Sequence, residues 1–434
     1  MSGCAAYHAA PLPVAAAALT PPDMAIVSAD AARIDRPFLV PQAIDLSRPL
    51  TPNALAVLAV LENPDLKAQR AKLGVTDAQA FAARLLPDPT VQGNFDKLLS
   101  GPDTFNAFAG QLALDIAQLR SARVTRAAGE ANKRQVRLDL AWAEWQTAGQ
   151  ARLQGVRILA LERQLAIAKA GAASAETLLA ASSRAAGRGD LAAGDVDTRR
   201  QSALDSADKA RTAEADLASA RNELTRLIGL PPGTILDLAA PPEPVVPPTA
   251  EALLSLALDR RLDLLALRAG YHAAEAGVHK AILDQFPTLS LTVAGGRDTS
   301  NNYTLGPAVG FTLPLWNRNR GGIATATATR AQLQAEYAAR LFQTRAEIGT
   351  AVAGIATVRR QRAALIAKLP AIRRFADASA RAAARGDLAP AVAATAQQAL
   401  RDRTLTLAQL DQQIAEQTIA LELLSGGPSE GWTR

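Results

Sequence analysis

The tetrapeptide Arg-Gly-Asp-Leu occurs twice, at 188–191 and at 385–388, each time inside a long Ala-rich stretch. Two further matches lie in the same order. NPDLKAQRA (63–71) lies over RLDLLALRA (261–269), sharing Asp, Leu, Ala, Arg and Ala, and the same spacing carries Pro89 onto Pro287. AGQLALDIAQLR (109–120) lies over VGFTLPLWNRNR (309–320). The separations of the three anchors, 197, 198 and 200 positions, drift by only three. Such agreement is the mark of a tandem duplication, and it constrains the fold more than any local motif. The halves run from about 53 to 235 and from 250 to 425. They are separated by a joint at 236–249 containing PPEPVVPP (241–248), which is expected to be extended. Residues 1–52 read as an N-terminal Pro-rich extension and 426–434 as a tail.

Each half repeats one order of elements. A helix of about 30 residues comes first, near 53–86 and 250–285. A strand follows at 89–97 and 287–297. In the second copy Leu289, Leu291 and Val293 alternate with Ser290, Thr292 and Ala294, giving a strand one apolar face. After a polar turn, a second strand is expected at 106–116 and 303–313, where Val309, Phe311 and Leu313 share a side. Helical hairpins then fill 118–228 and 318–424. In the first, Ile158, Leu161, Leu165, Ala168, Ala172, Ala175, Leu179 and Ser182 keep alternate three- and four-residue spacing, the seam of a coiled coil. Leu365, Leu369, Ile372, Ala376, Ser379 and Ala383 repeat it in the second, with a kink expected at Pro370.

Composition narrows the class. Hydrophobic residues make up 49% but aromatics only 4%, so Ala supplies much of the apolar surface, which suits closely packed helices. The net charge of +6 is spread along the chain without a basic run interleaved with aromatics, and nucleic-acid binding is not expected. One Cys and three His exclude a disulfide framework or a structural zinc cluster within the chain. No apolar run reaches the ~18 residues of a spanning helix, which leaves open a β-barrel built of short strands. Cys4 follows Ser2 and Gly3 in the small-small-Cys form of a lipoprotein processing site, without the basic and apolar parts of a signal peptide before it. It is expected to be the lipid-bearing residue if translation begins further upstream.

A helix of about 70 residues is about 105 Å long at ~1.5 Å per residue. The fold is therefore expected to be mainly α with a small β part. Two helical hairpins form a rod with four strands at one end. Four strands cannot close a barrel of useful diameter, whereas three chains would supply twelve and leave no open edge.

At these residues the chain resembles the TolC-like outer membrane factors, the exit ducts of Gram-negative efflux pumps and type I secretion systems. The likeness covers about 53–425, and VGFTLPLWNRNRGGIATATA (309–328) looks like the strand-to-helix junction of the cation-efflux, CzcC-like branch. The resemblance implies a homotrimer whose twelve-stranded outer-membrane barrel continues into a helical periplasmic tunnel. It implies docking of a periplasmic adaptor at the tips Arg188, Gly189, Asp190, Leu191 and Arg385, Gly386, Asp387, Leu388. An inner-membrane pump of the RND type would be engaged through that adaptor. Relatives narrow the tunnel with carboxylates just beyond the second tip, but this chain has Val392 and Thr395 there. The first tip instead offers Asp190, Asp195 and Asp197, either a ring that gathers cations or acids favoured at a helix N-terminus.

The remaining candidates are weaker. Arg120, Arg123, Arg318 and Arg320 mark the barrel–helix junction, where they could meet lipid phosphates or simply solvate it. His272, Glu275 and His279 share a helical face, more simply a solvated one than a metal site. No nucleophile set, phosphate loop or dinucleotide fingerprint is visible, so neither catalysis nor a cofactor is expected. The reading is a passive export duct, for metal cations first and for drugs or secreted protein as the alternative. A periplasmic adaptor fits less well, since it would normally carry one hairpin. A soluble coiled-coil scaffold would leave the alternating strands unexplained.

Overall fold

The computed structural model describes residues 6–432. Ten helices and four strands follow in chain order: α1 (Ala15–Ala18), α2 (Met24–Ala31), α3 (Pro52–Glu62), α4 (Pro64–Ala82), β1 (Thr90–Asp96), β2 (Ala107–Asp115), α5 (Ile116–Gly187) and α6 (Ala193–Leu227). Across the linker come α7 (Ala250–Arg260), α8 (Leu262–Leu283), β3 (Leu289–Arg297), β4 (Tyr303–Phe311), α9 (Arg320–Ala384) and α10 (Pro390–Ser425). A 3-10 turn, Ser429–Gly431, closes the chain. Among the described residues no helix is long and apolar enough to cross a membrane.

The single 30-residue helix expected at the head of each half is two helices, and the breaks are local. Asn63 precedes Pro64, and the residue before a proline is pushed out of the α region. Asn63 adopts ψ 122, ends α3 and caps α4 by accepting the Leu66 N–H at 2.9 Å. Its amide also donates to the Leu227 carbonyl at 2.9 Å, so the end of α6 meets the start of α4 head to tail. Arg261, at ψ 114, makes the corresponding break between α7 and α8, and there the end of α10 abuts it. A Cβ on Gly426 would lie 2.8 Å from the Arg261 nitrogen, and Gly426 takes φ +79.

The seams formed as the spacing required. Ile158, Leu161 and Ser182 are buried and the seam residues between them half-buried; α6 faces them with Ala203, Ala210, Leu217, Ala220 and Leu224. α9 and α10 pack likewise through Val358, Leu410 and Ile414. The helix α9 is continuous through Pro370 to Ala384, so the proline does not end it.

Two segments read as loose ends belong to cores. The chain from Met24 to Leu50 lies on the first half, where Val27, Ala31, Ile34, Leu39 and Ile44 join Leu55, Leu58, Ala148, Ala151 and Ile158. Phe38 packs on the buried Trp145 at 4.9 Å between ring centroids. At the other end Trp432 joins Leu253, Ile348, Ile355 and Leu421, its indole N–H donating to Ser425 Oγ at 3.0 Å. The linker forms no helix or strand beyond a single bridge at Leu238, and the Arg359 guanidinium holds it through the Pro244 and Val245 carbonyls at 2.8 and 2.7 Å.

Candidate functional site: the sheet, the junction and the tips

The four strands form one antiparallel sheet in sequence order, β1-β2-β3-β4. Both hairpins are as expected; the added fact is that β2 pairs with β3, joining the two halves from Phe108↔Arg297 to Asp115↔Ser290. Since directly opposed residues share a side, the ladders sort every strand residue onto one face or the other. One face carries Val91, Phe95, Phe108, Leu112, Leu114, Leu289, Leu291, Val293, Leu305, Val309 and Phe311. The other carries Thr90, Gln92, Asn94, Gln111, Ser290, Thr292, Thr304 and small residues, and its only charges are Asp96 and Asp115. No Lys or Arg stands on that polar face.

The apolar face is bare: Val91 is 78% exposed and Leu305 82%. Aromatics flank it at both ends, Phe95, Phe108 and Tyr303 beside the turns and Phe311 and Trp316 beside the helices. An outward apolar band between aromatic girdles, with a polar inner face, is the pattern of a membrane β-barrel. Within the chain β1 and β4 each leave one edge unpaired, so one copy cannot close it. At the turn end the loops are tied together. Arg297 lies over the rings of Phe105 and Phe108 at 5.2 and 5.3 Å, and Asp103 accepts hydrogen bonds from Thr299 and Ser300.

At the junction, β2 runs straight into α5, whereas an irregular stretch, 312–319, separates β4 from α9. The second strand expected to reach 313 ends at Phe311, shortly before Pro314, which cannot donate to a ladder. Arg318 and Asn319 take left-handed φ values of 44 and 50°, and Asn319 is held through its amide to the Ala281 carbonyl at 2.8 Å. The four junction arginines do not act alike. Arg120 donates to the carbonyls of Leu283 at 2.9 Å and Pro287 at 3.3 Å and stacks on Phe286. Arg123, Arg318 and Arg320 are exposed.

The two tips are built alike. At the first, the Asp190 N–H bonds to the Ala185 carbonyl and the Gly189 N–H to that of Ala186. At the second, Asp387 and Gly386 do the same to Ala382 and Ala383. This 6→1 and 5→2 pairing is the Schellman stop, and it needs a left-handed residue: Gly189 and Gly386 have φ 80 and 82°. The arginine of each copy folds back on the aspartate, Arg188 to Asp190 at 2.9 Å and Arg385 to Asp387 at 2.8 Å. Leu191 and Leu388 are half-buried behind the turns. Of the other acids at the first tip, Asp195 is exposed in the first turn of α6, and Asp197 pairs with Arg200.

Glu275 pairs with Arg330 at 3.1 Å, and His272 and His279 stand exposed beside it; among the described residues no group of His, Cys, Asp and Glu could hold a metal ion. Cys4 lies outside the described residues. Sequence reasoning missed Asp96 and Asp115 as the charges of the polar face, although strand alternation would have placed them. It also missed Glu144, which lies in a helix interior where no spacing signals a buried ion.

This sheet and these hairpins define the class: one copy of an outer-membrane barrel continued by a helical tunnel. The second half, 253–427, matches the family model for outer membrane efflux proteins. The chain is 26% identical over 330 residues to the cobalt-zinc-cadmium resistance protein CzcC of Cupriavidus metallidurans, covering 76% of this chain and 77% of that one. In three dimensions it is similar to CusC, with a TM-score of 0.69 at 18% identity, covering 94% of this chain and 99% of that one. It is similar also to the CmeC outer membrane channel of Campylobacter jejuni, with a TM-score of 0.72 at 16% identity, covering 88% and 87%. The chain is thus similar to the outer membrane efflux proteins, over its second half by the family model and over most of its length by these relatives. Members of that family work as trimeric channels with adaptor proteins in tripartite pumps.

Proposed function

We propose that the protein is the outer-membrane duct of a metal-cation efflux assembly, open to cations along its barrel. The observation that carries this reading is the polar face of the sheet, whose charges are Asp96 at one end and Asp115 at the other, with no cation between. In a closed trimer each becomes a ring of three carboxylates in a low-dielectric wall, which raises the local cation concentration and repels anions. The likeness to a cobalt-zinc-cadmium resistance protein supports the same substrate class. Asp190, Asp195 and Asp197 would form a second acidic constriction at the tunnel entrance, weakened by the pairing of two of them with Arg188 and Arg200.

The duct is passive. Energy comes from an inner-membrane pump of the RND type, reached through a periplasmic adaptor that docks on the Gly189 and Gly386 turns. Lipid on Cys4 holds the N-terminus to the membrane. In planar bilayers the wild type is expected to prefer cations. Neutralising Asp96 and Asp115 together should bring the cation-to-anion permeability ratio towards one, and neutralising Asp190, Asp195 and Asp197 should lower block by divalent cations. Unchanged selectivity and block would remove the cation reading and leave drug or protein export.

A further inference from the structure

The duplication says how one copy meets the next. Inside the chain, the junction of the first half is covered by the second: β2 pairs with β3, and Arg120 reaches over that seam to the Leu283 and Pro287 carbonyls and the Phe286 ring. The same two surfaces are bare at the outer edges. Beyond β4 the exposed stretch 312–319 carries Trp316, 86% exposed, followed by Arg318 and Arg320. Before β1, Leu85 is 58% exposed, and Val91 is 78% exposed where its counterpart Leu289 is 39%.

We propose that these bare edges join copy to copy by repeating the contact made inside the chain, with Arg318 and Arg320 seated on Asp88 of the neighbouring copy. The spacing of 198 that carries Pro89 onto Pro287 also carries Leu85 onto Leu283 and Asp88 onto Phe286. The arginine that stacks on an aromatic ring within the chain therefore faces a carboxylate between copies. Asp88 is exposed and has no partner among the described residues, and the same holds for the guanidinium groups of Arg318 and Arg320. Charge is thus complementary across a seam whose apolar part is shared by Trp316 and Leu85. Left-handed backbone at Arg318 and Asn319, fixed by the Asn319–Ala281 bond, turns the stretch at this point. The irregular connection has a purpose on this reading: it presents two cations where the first half presents one.

The inference rests on the trimeric duct reading, and the test separates the two. Outer-membrane protein is run unheated in SDS gels across a temperature series. Wild type should migrate as a trimer. Asp88→Arg alone, and Arg318→Asp with Arg320→Asp, should each lower the temperature at which trimer gives way to monomer, and combining all three should restore it. An Asp88→Cys, Arg318→Cys pair should cross-link into trimers under mild oxidant, which guards against a charge reversal that merely misfolds. A wild-type monomer would sink the duct reading and this seam with it. A stable wild-type trimer with no rescue and no cross-link would sink the seam alone. So would charge-reversed arginines that leave the trimer intact and weaken only binding to vesicles containing phosphatidylglycerol, which would assign them to lipid phosphate.

Discussion

Glu144 has 1% of its side chain exposed and sits between two cations, Arg36 at 2.5 Å from the N-terminal segment and Arg70 at 2.7 Å from α4. Burial pushes its carboxyl up, but the two guanidinium groups outweigh burial and hold it below the usual glutamate range. A buried ion pair need not add stability, yet removing one partner leaves the others uncompensated. Glu144→Gln should therefore destabilise the folded chain by about 3 kcal/mol near neutral pH, read by denaturant unfolding. The sign with pH follows from the depressed value. The stabilisation is present above the ordinary glutamate value, 4.5, and is lost as pH falls through the lower folded one. Wild type and variant should converge in acid; a constant gap would mean the carboxylate is not the cause.

At the scale of elements, most of the fold was legible because its signals are periodic. Ile158 to Ser182 and Leu289 to Val293 announce a coiled-coil seam and a half-apolar strand without any neighbour's help. What could not be read were contacts made across long separations. Asn63 looks like an ordinary residue before a proline until its amide is seen holding Leu227. Arg120 and Arg320 align in sequence, yet Arg120 is the fifth residue of α5 while Arg320 is the first of α9. The tips lay between these cases. Their Gly residues were predictable turns, whereas the return of each arginine onto its own aspartate was not. Gly189 and Gly386 have open space around them, so only backbone strain and a partner's approach limit them. Replacing either with Leu should cost about 1 kcal/mol through the left-handed φ, and should cut efflux far more than that loss explains while trimers persist. Normal resistance in such a variant would show that adaptors do not dock there.

For the whole molecule, the N-terminal segment sets a reach. If Cys4 carries the lipid proposed above, residues 4–23 would lead from it to α2, whose core contacts lie at the level of Glu144, some 28 residues down α5 from the strands. That depth is about 42 Å at ~1.5 Å per residue of helix. Outside α1 (Ala15–Ala18), a segment of this length would cover about 53 Å if fully extended at ~3.3 Å per residue. That reach exceeds the depth, so a lipid at Cys4, as proposed above, would be able to enter the inner leaflet while the segment stays docked. Cys4→Ser should abolish incorporation of labelled palmitate and leave trimers assembled; continued labelling would place the lipid elsewhere or nowhere on this chain.

The head-to-tail meetings of α6 with α4 and of α10 with α8 have a mechanical consequence. At these places the inner helices touch the upper ones without covalent continuity, through the Asn63 amide in one case and the tight packing of Gly426 on Arg261 in the other. A torque applied at the tips travels unbroken up α5 and α9, but along their neighbours it meets a slip joint at mid-height. In a trimer of this chain, three copies would set six such joints, a collar about which the lower hairpins would twist while the barrel above kept its bore.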